Sequence, residues 1–149
     1  FTNMQAVLEA LPARLLAKIE GRRCRHDFAH LSRIGSKYVP TEEEKAAMPP
    51  IWQPMIRVHP VSGHKSLYIS PIYNDGIEGM DDAEAKAVLD ELYEICSEPR
   101  FVYEHTWTQY DIVMWDNRST MHRILPYDPN ERRIMHRTTI VGDGPVMAA

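Results

Sequence analysis

A chain of 149 residues has room for one domain with a modest core, and its 44% apolar residues are an ordinary share for a globular protein. Seventeen Lys and Arg against 21 Asp and Glu leave a net charge of −4, which argues against general nucleic-acid binding. No run approaches the roughly 18 apolar residues of a membrane helix, so neither nucleic acid nor membrane is an expected partner.

The first elements read as helical. Thr2 or Asn3 can cap a helix whose apolar positions Met4, Val7, Ala10 and Leu11 recur at helical spacing. Pro12 can start a following turn, and Leu15, Leu16 and Ile19 continue the stripe to Gly21. Residues 35–53 carry Glu42, Glu43, Glu44 and the pair Pro49-Pro50, a lid-like excursion with a helical turn at 41–47. From Met55 the pattern becomes strand-like. Ile56 and Val58, then Leu67, Tyr68 and Ile69, flank the turn-rich Pro60-Val61-Ser62-Gly63 of a hairpin. His59 and His64 fall in that turn and read as structural or exposed. A second helix spans 81–97, with Asp81 and Glu84 as a capping box and an apolar stripe at Val88, Leu89, Leu92, Ile95 and Cys96. After Pro99, Phe101, Tyr103, His105 and Trp107 share one face of an expected strand, and Ile112–Trp115 continue the β texture. A last strand is expected at about 133–141. No internal repeat is visible. Cys24 and Cys96 form neither C-x-x-C nor a zinc spacing; reduced thiols in a cytoplasmic protein are the expectation, with a disulfide the alternative.

The segment from Trp115 to Arg137, W-D-N-R-S-T-M-H-R-I-L-P-Y-D-P-N-E-R-R-I-M-H-R, carries the chemistry. It sets His122 ahead of a strand on which Arg133 and Arg137 face the same way, ~13 Å apart at about 3.3 Å per residue. An imidazole is a common metal ligand, and guanidinium groups grip carboxylates in a fork. Spacing alone leaves two readings open: a metal site that takes two anions, or a structural histidine beside solvated arginines. Asp116 and Asn117 are expected to fold back on the backbone at a strand end, and His136 lies on the face opposite the two arginines.

This segment resembles the C-terminal signature of the taurine dioxygenase / 2,4-dichlorophenoxyacetate dioxygenase family of Fe(II), 2-oxoglutarate-dependent oxygenases. Further blocks match in order: F-T-N-M-Q-A-V-L-E-A-L-P, R-V-H-P-V-S-G-H-K-S-L-Y-I-S, I-E-G-M-D-D-A-E-A-K, F-V-Y-E-H-T-W, D-I-V-M-W-D-N-R and R-R-I-M-H-R-T-T-I-V-G-D. The resemblance implies a mainly β fold with helical insertions on a double-stranded β-helix (jelly-roll) core. It makes His122 the distal histidine ligand of iron and Arg133 the residue that binds the far carboxylate of 2-oxoglutarate. Arg137 would face the acidic group of the substrate. Tyr73, after the L-Y-I-S strand, reads either as a pocket wall or as an ordinary buried tyrosine. The implied reaction consumes O₂ and hydroxylates a small sulfonate or carboxylate, releasing succinate and CO₂.

The chain departs from the family's pattern at the other two iron ligands, which come from an H-x-D motif. No H-x-D occurs here, since His26 is followed directly by Asp27. Residues 1–149 are therefore expected to be the C-terminal part of a single dioxygenase domain whose jelly roll is incomplete in this chain. At the position where taurine enzymes carry a Phe after H-D-F, this chain has Ser32, which leans toward aryloxyacetates. The family's oligomers make a homo-oligomer the expectation. The alternative is a catalytically incomplete fragment that serves only as a scaffold, oligomerisation or anion-binding module.

Overall fold

The computed structural model describes residues 1–35, 38–142 and 146–149. Residues 36 and 37 of the expected excursion, and Asp143 at the end of the matched signature, lie outside the described residues.

Thr2–Asn3 form a short strand, β1, followed by helix α1 (Met4–Glu9). Asn3, rather than Thr2, is the cap: its side-chain oxygen accepts from the Gln5 and Ala6 N–H groups, both at 3.1 Å. These satisfy two of the donors that a helix start leaves unpaired. Pro12 divides the apolar stripe into two helices. It lacks an N–H to continue α1 and stands as the N-cap of α2 (Ala13–Ile19) with φ −56°. Replacing Asn3 by Ala is expected to lower stability by about 1 kcal/mol, read from the denaturant midpoint at unchanged m.

Two three-stranded antiparallel sheets follow. In the first, β2 (Arg23–His26) lies between β3 (Ile51–Pro54) and β6 (Asn74–Ile77), with Cys24 opposite Gln53 and Ile77. In the second, β4 (Ile56–Val58) lies between β5 (Lys65–Leu67) and β8 (Met147–Ala148). The expected hairpin is β4–β5, with Ile56 opposite Leu67 and Val58 opposite Lys65. Its turn closes where Gly63, at φ +72°, donates its N–H to the His59 carbonyl at 2.8 Å. Between β2 and β3 of the first sheet the chain forms α3 (His30–Arg33) and α4 (Glu42–Ala47). The latter is the predicted helical turn, started by a full capping box between Thr41 and Glu44.

Helix α5 (Asp82–Cys96) is capped by Asp81, whose carboxylate accepts from the Glu84 N–H at 2.8 Å. It buries Ala85, Val88, Leu89, Leu92 and Cys96 and packs on β6. With Met4 and Val7 of α1, Leu15 and Ile19 of α2, and Met55, Leu67, Ile69 and Ile77 from the sheet region, these form one hydrophobic core. Cys24 and Cys96 are both buried and free, so the disulfide alternative is not realised. Burial pushes both thiols up to about 12, which makes them inert packing residues at neutral pH.

The β texture expected downstream differs. Residues 99–101 form a 3₁₀ turn, and Val102 makes only an isolated bridge to Thr2. The alternation of Tyr103, His105 and Trp107 holds, since the three rings contact one another in sequence. No ladder forms there, however, nor at 112–115 nor at 133–141. Only Thr120–Met121, as β7, pairs in this region, with β1. A strand needs a neighbour to take its N–H and C=O groups; Phe1 and Thr2 serve Val102 and Tyr103 alone, and among the described residues 112–115 and 133–141 have no paired strand. Their apolar side chains stay in solvent: Ile112 is 91% exposed, and Met114, Ile140 and Val141 are nearly as open. The observed architecture is therefore a set of small antiparallel sheets with helices, part of the expected jelly roll.

Candidate active site

His122 follows β7, and the pairing of Thr2 with Met121 sets where its side chain emerges. Its ring stacks on Phe1 (centroids 6.0 Å, 24°) and tilts against Trp115 at 4.9 Å. The residue as a whole remains exposed. This partly desolvated setting, reinforced by the positive charge of Arg137, lowers the imidazole pKa. The ring is thus held neutral at physiological pH, the form that ligates a metal.

The turn before His122 is pinned by Asp116. Its carboxylate accepts from the Arg118 backbone N–H at 2.8 Å, from Arg118 Nε at 2.9 Å and Nη at 2.6 Å, and from His59 Nε2 at 3.0 Å. The His59 tautomer follows from its other nitrogen: Nδ1 accepts the Val61 and Ser62 N–H groups, so Nε2 carries the proton. Ser66 Oγ adds a bond to the Arg118 carbonyl at 3.1 Å. The β4–β5 hairpin therefore holds the 115–119 turn from across the fold. Asp116 has the expected structural role, and His59 proves to be its partner, 57 positions away.

The Arg118 guanidinium, with help from His59, holds the Asp116 carboxyl far below the usual carboxylate range. A carboxylate with a depressed folded pKa stabilises the fold above its unfolded pKa of about 3.9, and the contribution is lost as pH falls through the folded value. Asp116→Asn is therefore expected to be less stable than the parent at pH 7. The gap should narrow only as acid reaches below about pH 3.9 in thermal melts. A gap that does not depend on pH would rule out this linkage.

The two arginines part company. Arg137 lies close enough to His122 to shift its titration. Arg133 instead sets its guanidinium over Tyr127, 5.3 Å from the ring centroid. Both are exposed, and neither sits on a strand. The expectation of one shared strand face is corrected accordingly, because that face exists only when the segment is paired. His136 is exposed as well. Tyr73 is half-buried and stacks on Phe28 at 6.3 Å, while its carbonyl accepts the Asp27 N–H at 2.8 Å. Phe28 also meets Tyr38, so Tyr73 belongs to an aromatic group of its own. An open groove of about 430 Å³ runs beside the His122 stack, lined by Phe1, Thr2, Tyr103, Met114, Trp115 and Thr120 among others.

A 2-His-1-carboxylate site requires three ligands. Among the described residues, no three His, Cys, Asp or Glu side chains cluster to hold a metal. His122 suits one coordination position by its neutral form and its exposure, but the residues described do not by themselves make an iron site.

Three relatives place this geometry in context. The chain is 39% identical over 142 residues to the alpha-ketoglutarate-dependent 2,4-dichlorophenoxyacetate dioxygenase of Burkholderia sp. (strain RASC), covering 95% of this chain and 48% of that protein. It is 32% identical to the (S)-phenoxypropionate/alpha-ketoglutarate-dioxygenase of Sphingobium herbicidovorans, covering 96% and 52% respectively. The crystal structure of AAD-2 in complex with Mn(II) and N-oxalylglycine superposes with a TM-score of 0.77 at 38% identity, over 88% of this chain and 52% of that one. The chain thus spans about half the length of the relatives it matches. Residues 1–139 match the model of the taurine catabolism dioxygenase TauD, TfdA family, and the chain belongs to that family.

Proposed function

We propose that these residues work in an Fe(II)- and 2-oxoglutarate-dependent dioxygenase that hydroxylates a small anionic substrate. In the balanced reaction, 2-oxoglutarate, O₂ and a substrate C–H give succinate, CO₂ and a C–OH. The observation that carries the reading is His122, a neutral, exposed imidazole within electrostatic reach of Arg137, in a segment matched by the family. Iron would supply the oxidising chemistry, with its remaining ligands drawn from outside this chain's described residues. His122 would take one coordination position. Arg133 would leave Tyr127 to bind the far carboxylate of 2-oxoglutarate through paired charge-assisted hydrogen bonds. Arg137 would orient the acidic group of the substrate, and Tyr73 would wall its pocket. The substrate class is an aryloxyalkanoate, favoured by Ser32 and by the names of the relatives.

Steady-state kinetics of two variants test the assignment. Arg133→Ala should raise the KM for 2-oxoglutarate about 10- to 100-fold, the scale of a lost charge-assisted pair. Arg137→Ala should do the same for the acidic substrate and leave 2-oxoglutarate nearly unchanged. Exchanged effects would reverse the two roles.

A second reading is favoured by the open apolar side chains at Ile112, Met114, Ile140 and Val141. Such a surface would serve a scaffold that self-associates, and a homo-oligomer would cover it. Sedimentation together with Fe(II) titration separates the two: oligomers that take up no iron favour the scaffold.

A further inference from the structure

Arg57 stands in the middle of β4, directly opposite Ser66 of β5, and is only 8% exposed. Its guanidinium lies over the Tyr68 ring, with Cζ 4.6 Å from the centroid. Its Nε is buried with no hydrogen-bond partner, and no ion pair reaches the side chain among the described residues. A guanidinium does not shed its proton at physiological pH, so this is a buried permanent charge, a costly state unless an anion compensates it. Asp116 acts on it at a distance, but that carboxylate is already engaged by Arg118 and His59. Arg118 adds a repulsive charge, and burial pulls the Arg57 pKa down further.

Tyr68 is itself stacked by His26, with ring centroids 5.1 Å apart. The face on which Arg57 sits is the one that looks toward the turn before His122, because its strand neighbour His59 and the opposite Ser66 both bond to that turn.

We propose that Arg57, seated on Tyr68, is a carboxylate-binding site distinct from Arg133 and Arg137. The fork of Nε and Nη matches the two oxygens of a carboxylate, and one negative charge there neutralises the buried cation. The carboxylate belongs either to a small organic acid or to an Asp or Glu side chain elsewhere in the protein.

Arginine-selective NMR of the purified protein, dialysed free of organic acids, tests this through the Arg57 Nε–H. Its signal is identified by its loss in Arg57→Lys and, independently, by the loss of its ring-current shift in Tyr68→Leu. Acetate is the probe. The expected result is an Nε–H whose solvent exchange slows saturably, about tenfold or more, when acetate is added, as suits a charge-assisted hydrogen bond. Slow exchange already present in the dialysed protein and unaltered by acetate assigns the carboxylate to a protein side chain. Fast exchange both with and without acetate overturns the proposal.

Discussion

Replacing His122 by alanine is expected to remove 2-oxoglutarate-dependent succinate release from the protein that carries these residues, a loss of at least about 100-fold, since even outer-shell changes cost 10–100-fold at metal sites. The reason is local. Partial desolvation and the charge of Arg137 keep the ring neutral, while Phe1 and Trp115 hold its plane. Alanine removes the nitrogen and leaves the aromatic pair, whose rings remain 5.1 Å apart. The fold should therefore persist, with tryptophan fluorescence and circular dichroism close to the parent while Fe(II) affinity falls. Retained succinate release by a folded His122→Ala would sink the metal-ligand assignment. A loss of folding together with turnover would instead mark His122 as a packing residue.

Leu92→Ala is expected to produce the largest loss of stability, about 3–5 kcal/mol. Leu92 is fully buried on α5 and lies one turn from both Val88 and Cys96, which are also buried. Truncation removes apolar contact with both neighbours and opens a cavity that a helix packed on β6 cannot readily close. Ile112→Ala supplies the contrast. The parent side chain is 91% exposed, so the change should stay within about 0.5 kcal/mol. Denaturant midpoints of the two variants read the difference directly. A cost at Ile112 approaching that at Leu92 would show that this side chain is covered in solution, by a second copy or by another part of the protein.

Residues whose partners lie within a turn or two of chain were legible in the sequence. Asn3 and Asp81 cap helices at the expected places because a cap needs only N–H groups two or three positions ahead. The apolar spacing of α5 marks its buried face for the same reason. By contrast, β2 and β6 were not readable. Their residues R-C-R-H and N-D-G-I carry too little apolar alternation to mark a strand, and they pair through a backbone ladder between segments some fifty positions apart, across which Arg25 meets Asp75 at 2.7 Å. Conversely, 112–115 and 133–141 have strand composition without a described partner strand, 101–107 pairs only at Val102 and Tyr103, and composition alone does not make a ladder.

The candidate site divides in the same way. Sequence by itself determined the family signature, the chemical types at His122, Arg133 and Arg137, and the helical half of the core, since each of these depends on residue identity or short-range spacing. Tertiary structure alone decided that Arg137 acts on His122 while Arg133 rests on Tyr127, that His59 locks Asp116, and that Arg57 is buried with no anion paired to it among the described residues. Electrostatic and hydrogen-bonding partners meet only where the folded chain brings distant segments within a few ångströms, and no local pattern encodes that meeting.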